Sequence, residues 1–235
     1  MKYKFLKKTA IGMGLSLATL LPSFYEKSVY SSSETGYDTQ KGVEFADYKF
    51  RKSILEELVK KERESLFEKR AIEQSSDKIK LPYFNIIPSH CSEYAKKAAK
   101  KLFNKEYVWD KEKKNGGAAW NLRYYNPIIE KLDSIGEIKE LIIDGRLKQG
   151  MIIGMYNPKS PHNRKKDVTG NKVEYTHAMM YAGINDKGEI EFFHQLGSKI
   201  ERANLNRIKE LENKGWKVIE VLNAPDNLPE NFAQN

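Results

Sequence analysis

The spacing of hydrophobic residues changes along the chain, from a helical period in the first half to an alternating one later. From about Phe45 to Gln74, apolar residues recur at spacings of three and four among Glu and Lys, which predicts a long amphipathic helix or a helical pair. The segment SHCSEYAKKAAKKLF, residues 89–103, predicts another amphipathic helix, with lysines on its polar face. Ser89 is a favourable N-cap for this helix, and Cys91 falls in its first turn.

The second half of the chain predicts a sheet with a few helices. Helices are expected at 118–125, 138–144 and 205–213, and strands at 150–156, 175–184, 190–196 and 216–221. Residues 185–188, Asn-Asp-Lys-Gly, are typical of a tight hairpin joining the second and third of these strands. Helices followed by an antiparallel sheet predict the α+β class.

The N-terminus predicts an export signal at residues 1–30. Four lysines within the first eight residues precede an apolar run of 13 residues, Thr9–Leu21, which suits a signal peptide and is short for a spanning helix. A clear cleavage motif does not follow, so an uncleaved membrane anchor stays open as an alternative. The protein is therefore expected to be exported, and either secreted or attached to the membrane or cell envelope.

Composition sets the remaining organisation and the classes of partner. We expect a polar linker and amphipathic helix at 31–77, a compact domain at 78–225 and a tail at 226–235. The formal charge of +9 is compatible with an anionic envelope surface as a partner, although a solvated lysine-rich surface is the simpler explanation. The chain lacks recognisable nucleic-acid-binding motifs, so nucleic acid is not expected. Oligomeric state is not predicted.

The single cysteine excludes an intramolecular disulfide and leaves Cys91 as either an inert buried thiol or a reactive one. A thiol acts as a nucleophile when it is a thiolate, and a helix N-terminus and a nearby imidazole both favour that form. The position of Cys91 supplies the first influence, and one of the histidines would supply the second.

The best partner for Cys91 is His177, which interrupts an apolar strand. A hairpin turning near residues 186–188 places His194 opposite residues 179–181, a diagonal step of about 7–8 Å from His177. His194 could then orient His177 as the third member of a triad. A register shifted by one residue would offer Gln195 instead.

The order of these features resembles the NlpC/P60 and CHAP group of papain-like amidases. The segment CSEYAKKA resembles that group's nucleophile helix, and DGRLKQGMIIGMY and THAMMYAG resemble its central strands, so the likeness covers residues 88–197. The resemblance implies a papain-like fold, with the nucleophile helix packed on an antiparallel sheet and with an N-terminal helical extension. It implies Cys91 as nucleophile, His177 as base and His194 as the orienting residue. His90, where the group often has Asp or Asn, and the basic loop at 157–173 depart from the pattern.

The resemblance implies a cysteine peptidase or amidase that cleaves amide or peptide bonds through a thioester, on peptidoglycan or peptides, without a cofactor or metal. Two alternatives stay open, namely a transglutaminase-like or acyltransferase enzyme using the same Cys-His set, and a catalytically inactive envelope-binding domain. A zinc site formed by Cys91, His177 and His194 is a further alternative, although these residues lack the close spacing of most zinc ligands.

Overall fold

A computed structural model of the protein describes residues 37–85, 88, 90–109, 118–160 and 175–226. The predicted leader at 1–30, most of the basic loop and nearly all of the predicted tail lie outside these residues. Within them, no helix combines the length and the apolar character needed to cross a membrane. The chain divides into two compact units, Met1–Leu58 and Val59–Asn235.

Five helices and six strands make up the described part of the chain. The helices are α1 (Tyr37–Glu73), α2 (Cys91–Phe103), α3 (Ala118–Tyr125), α4 (Glu137–Ile143) and α5 (Leu205–Asn213). The strands are β1 (Ile128–Lys131), β2 (Ile152–Tyr156), β3 (His177–Ile184), β4 (Ile190–Leu196), β5 (Lys199–Asn204) and β6 (Lys217–Leu222).

The long predicted helix is present as α1, but it begins at Tyr37, inside the stretch expected to be a linker. In the first unit, Asp47 and Arg51 form an ion pair at 2.8 Å, one turn apart. Such pairs stabilise a helix by about 0.3–0.5 kcal/mol each. In the second unit, Arg63 pairs with Glu140 of α4, and Phe67 packs against the core, which ties that part of α1 to the sheet domain.

The strands form one antiparallel sheet in the order β1-β6-β2-β3-β4-β5, so the predicted α+β class is confirmed. The predicted hairpin joins β3 to β4. Asn185 closes its turn by accepting hydrogen bonds from the backbone N–H groups of Lys187 and Glu189, and Gly188 adopts a φ of +76°. Strands β1 and β5 were not predicted.

Helices cover both faces of the sheet, and successive side chains of each strand point to opposite faces. Helices α2 and α3 cover one face, where Ala95, Ala98 and Leu122 cluster with Ala178 and Met180. Helices α4 and α5 belong to the core on the other face, which contains Ile138, Ile142, Ile208, Met179 and Tyr181. Alanines on α2 bring this helix close to β3 and β4, and its N-terminus carries Cys91.

Candidate active site

Cys91 is the first residue of α2, so its predicted place in the first helical turn is confirmed. The N-cap prediction was wrong. The structure places the cap at His90, whose backbone is extended and whose side chain makes no capping hydrogen bond, while Ser89 lies outside the described residues. The carbonyl of His90 accepts the first helical hydrogen bond, from the N–H of Tyr94 at 3.0 Å.

The sulfur of Cys91 lies among backbone N–H groups. Burial raises the pKa of the Cys91 thiol, and hydrogen bonds from the N–H groups of Ala178, Ser92 and Cys91 itself lower it by less. The residue as a whole is half-buried, because part of its surface reaches solvent although the thiol is desolvated. The expected lowering of the pKa is therefore not found, and the thiol of this structure is neutral at pH 7.

His177 and His194 face each other, as the hairpin predicts. His194 pairs with Met179 in the β3–β4 register, and Nε2 of His177 lies 2.9 Å from Nδ1 of His194. The side chain of Gln195 lies on the opposite face of the sheet, where its Nε2 donates a hydrogen bond to the carbonyl of Pro88 at 2.8 Å. His194, rather than Gln195, is thus the residue in contact with His177, while its orienting role stays a prediction.

Both histidines are buried and neutral. His177 is 2% exposed, and burial, followed by the neighbouring His194, lowers its pKa to about 3. Burial also lowers the pKa of His194, which is fully buried, although Glu201 opposes that shift. The ring of Trp216 lies 5.7 Å from the ring of His177 and nearly perpendicular to it, on the α5 side of the sheet.

The thiol and the imidazole meet the beginning of β3 from different sides. The thiol lies near the backbone N–H of Ala178, the residue after His177, and the methyl group of Ala178 packs on the α2 side. The ring of His177 lies with Trp216 on the α5 side. The described residues contain no hydrogen bond between Cys91 and either histidine. His177 contacts His194, whereas the thiol lies near the backbone of the residue that follows His177.

The sequence reasoning missed Glu201, which extends the histidine pair. Glu201 stands directly opposite His194 in the β4–β5 register, and its Oε1 lies 3.2 Å from Nε2 of His194. The distance suits a hydrogen bond, but the ring N–H direction is not aligned with that oxygen. The side-chain hydrogen bond from Lys199, together with the charges of Lys199 and Arg207, lowers the pKa of Glu201 despite partial burial.

A second buried polar group lies on the α2–α3 face and was also missed. The hydroxyl of Tyr175 is buried and lacks a hydrogen-bond partner within the described ranges, and burial, with smaller effects from Glu220 and Cys91, raises its pKa well above the ordinary range. Glu220 is 3% exposed and lies 2.8 Å from Nε of Arg123 on α3. A Tyr-Thr-His run and an isolated glutamate within an apolar strand were the only signals in the sequence.

The donor set does not support the zinc alternative. Across the part of the chain that the structure describes, no three His, Cys, Asp or Glu side chains are grouped so that they could hold a metal ion. A site using Cys91 with both histidines would need all three on the same side of β3.

No protein-family model matches the chain, and no curated protein matches it in sequence. The resemblance to the NlpC/P60 and CHAP group therefore depends on the residues quoted from 88–197 and on their order.

Proposed function

We propose that the protein is a cysteine hydrolase of the papain-like type, with Cys91 as nucleophile, His177 as base and His194 as the residue that orients it. One observation carries the proposal. The thiol at the start of α2 lies near the backbone N–H of Ala178, the residue that follows His177 in β3, and Nε2 of His177 lies 2.9 Å from a second histidine, His194. A nucleophile, a base and an orienting group in series are the elements of a catalytic triad.

The reaction proposed is acyl transfer to water. Because the thiol and the ring meet β3 from different sides in the structure, the reaction requires them to come into contact. The S–H proton of Cys91 then passes to Nδ1 of His177 as the sulfur attacks a carbonyl carbon, because Nε2 of the ring is occupied by His194. The imidazolium then protonates the leaving amine, the C–N bond breaks and a thioester remains. Water, deprotonated by the same ring, attacks the thioester and releases the acid and the thiol.

The N–H groups around the sulfur suit the charge that develops. The donors of Cys91, Ser92 and Ala178 converge on the thiol, at the positive end of a helix of 13 residues. Backbone donors fixed in this way stabilise a thiolate or an oxyanion without reorganising during the reaction. Since both thiol and imidazole are neutral at rest, we expect deprotonation to accompany attack rather than to precede it.

The proposed substrates are amide or peptide bonds, in cell-wall peptidoglycan or in peptides. The resemblance to NlpC/P60 and CHAP amidases and the predicted export signal support this class. A nucleophile helix packed on an antiparallel sheet supports the finer proposal of a papain-like NlpC/P60 fold. The positive charge of the chain suits an anionic envelope polymer.

A catalytically inactive envelope-binding domain is the second candidate. The lack of a hydrogen bond between Cys91 and either histidine in the described residues favours it, as does the raised pKa of the thiol. The two candidates differ in one testable property, because the hydrolase requires a reactive Cys91 thiol and the inactive domain does not.

The test is acylation of the full-length protein by p-nitrophenyl acetate, which releases nitrophenol as the thiol is acylated. We expect a burst of about one equivalent in the wild type, no burst with Cys91→Ala, and a burst slowed by about 10²–10⁴-fold with His177→Ala. Lys97→Ala, on the polar face of the same helix and paired with Glu93, is the matched control and should retain the burst. A wild type without a Cys91-dependent burst would support the inactive domain instead.

A second assay addresses the bond and the acceptor. Digestion of purified peptidoglycan by the wild type should release new amino groups, and Cys91→Ala should release none. If an added primary amine is incorporated into the products instead, the transglutaminase-like or acyltransferase alternative holds.

A further inference from the structure

We propose that Glu201 is a positioning residue that fixes the tautomers of both buried histidines and leaves Nδ1 of His177 as the unprotonated nitrogen. The tautomer assignment follows from the geometry of the three side chains. Its consequence for Cys91 rests on the function proposed above.

Glu201 holds its place through the sheet. It pairs with His194 across β4 and β5, so both side chains lie on the same face, and only 15% of its side chain is exposed. Lys199 lies 2.7 Å from one carboxylate oxygen, and Arg207 lies 3.8 Å from the other. Two cations at these distances keep Glu201 ionised, and an ionised carboxylate only accepts hydrogen bonds.

The carboxylate decides which nitrogen of His194 carries the proton. A neutral imidazole has one N–H and one lone pair. If Nε2 of His194 were unprotonated, its lone pair would face the negative Oε1 of Glu201 at 3.2 Å. With the proton on Nε2, the positive end of the N–H bond faces that oxygen, which is attractive even when the angle is not ideal. His194 is therefore protonated on Nε2, and Nδ1 carries the lone pair.

The tautomer of His177 follows from that of His194. Nδ1 of His194 is an acceptor, so Nε2 of His177, 2.9 Å away, must be the donor. Because the ring of His177 is neutral, its Nδ1 is left with the lone pair. Nδ1 is the ring nitrogen nearer the main chain, and the thiol of Cys91 lies at the N–H of the next residue along that main chain.

When the proposed reaction brings the thiol and the ring into contact, the thiol proton has one destination. The S–H bond of Cys91 breaks, an N–H bond forms at Nδ1 of His177, and the products are a thiolate and an imidazolium. The imidazolium keeps its Nε2–H donated to His194, and the negative charge of Glu201 stabilises the cation through that ring. Glu201 thus acts through His194 and does not touch the reacting atoms.

Replacing Glu201 by Gln removes the constraint while keeping the size of the side chain. The amide can present its NH₂ group to Nε2 of His194, which allows the reversed tautomers. In the reversed pair His194 donates from Nδ1, His177 accepts at Nε2, and Nδ1 of His177 carries a proton. That ring can no longer accept the thiol proton.

The first experiment reads the tautomers directly in the full-length wild type. Nitrogen-15 NMR of histidine-labelled protein at pH 7 distinguishes protonated from unprotonated ring nitrogens, and His177→Gln and His194→Gln assign the signals. We expect the proton on Nε2 and a lone pair on Nδ1 for both His177 and His194. A proton on Nδ1 of either residue overturns the inference, whatever the activity of the protein.

The second experiment compares Glu201→Gln with the control Glu210→Gln, which changes an exposed glutamate paired with Arg207 at 2.9 Å. We expect Glu201→Gln to change the tautomer signals and to slow acylation by p-nitrophenyl acetate by roughly 100-fold, less than the roughly 10⁴-fold loss when a carboxylate bonded directly to the base is altered. Glu210→Gln should change neither. Wild-type signals retained in Glu201→Gln overturn the inference.

The two proposals fail separately. If the tautomers respond to Glu201→Gln but the wild type shows no Cys91-dependent acylation, the positioning role of Glu201 stands and the hydrolase proposal is wrong. If acylation requires Cys91 but the wild-type tautomers differ from those expected, the hydrolase stands and the role of Glu201 is wrong.

Discussion

The ring of Tyr175 lies directly on the backbone of Gly154, since a Cβ placed on Gly154 would fall 1.8 Å from Cε2 of Tyr175 and 2.5 Å from its hydroxyl oxygen. Gly154 pairs with Ala178 on one side and with Glu220 on the other. The ring of Tyr175 therefore lies between the backbone of Ala178, near the Cys91 thiol, and the buried carboxylate of Glu220. A side chain at position 154 would displace this ring.

We therefore expect Gly154→Ala to destabilise the protein by about 1–3 kcal/mol, the usual cost of overpacking a core. Urea unfolding measures the change in free energy. Gly136→Ala is the matched control, because its backbone is already helical at φ −59° and its Cβ would meet only Ser134 at 3.4 Å. That change should be neutral or stabilising by up to about 1 kcal/mol. Equal losses from both substitutions would contradict the close packing at Gly154.

The closeness of the two histidine strands could be predicted from the sequence because a local turn joins them. The turn itself pairs Ile184 with Ile190, a register that would continue to Gln195 opposite Met179. A β-bulge between Tyr181 and Gly183 shifts the register by one residue and puts His194 there instead, which the sequence left open. The helix carrying Cys91 could also be predicted, since its apolar face repeats with helical spacing.

The partners of the histidine pair could not be predicted, because they depend on tertiary packing. Strand β5, with the sequence KIERAN, is a charged edge strand without clear alternation, so Glu201 had no visible place beside His194. The side of β3 on which α2 packs, and hence the separation of the thiol from the His177 ring, is decided by contacts between distant segments. The direction of the Cys91 pKa depends on burial, which spacing alone does not reveal.

Arg123 compensates the buried charge of Glu220. Burial raises the pKa of Glu220, and the ion pair with Arg123 opposes that rise. We expect Arg123→Ala to cost about 1–3 kcal/mol at pH 7, between the values for exposed and for fully buried pairs, because Arg123 is itself 39% exposed. Adding Glu220→Gln to this variant should restore part of the loss.

The sign of the pH dependence follows from the raised pKa. The folded state holds the Glu220 proton more tightly than the unfolded chain, so stability falls as pH rises from about 4.3 to the folded pKa. Removal of Arg123 should enlarge this fall, and Glu220→Gln should abolish the enlargement. Urea unfolding of the wild type, Arg123→Ala and the double variant between pH 4 and 8 checks it, and identical pH profiles for the wild type and Arg123→Ala would argue against the pairing.

His177 should make the protein sensitive to acid. Its folded pKa of about 3 lies below the ordinary value of about 6.5, so at intermediate pH the unfolded chain binds a proton that the folded protein excludes. The free energy of unfolding that neutral His177 contributes above pH 6.5 therefore decreases as pH falls towards 3, by about 1.4 kcal/mol per pH unit. His194, whose pKa is also lowered, adds to the loss, while Glu201 opposes it and Lys199 and Arg207 reinforce it.

The measurement is the unfolding free energy of the wild type and of His177→Gln from pH 7 to pH 4. The variant should lose less stability per pH unit, because one excluded proton has been removed. Exposed carboxylates titrate in both proteins and cancel in the comparison. An unchanged slope in His177→Gln would show that this ring is not buried as a neutral group.

Cys91 should react as a neutral thiol at rest. Burial raises the pKa of the thiol despite three backbone N–H donors, and the low pKa of His177 means that the ring holds no proton to form an ion pair with a thiolate. Alkylation by iodoacetamide, an uncharged reagent, requires the thiolate. The rate of labelling at Cys91 should therefore rise with pH to beyond the ordinary thiol pKa of about 8.5, without a plateau at neutral pH.

Mass spectrometry of the single cysteine measures this rate, and His177→Gln should leave the profile almost unchanged. A plateau below pH 7 that disappears in His177→Gln would instead demonstrate a preformed thiolate–imidazolium pair, which requires the thiol and the ring to be in contact on the same side of β3.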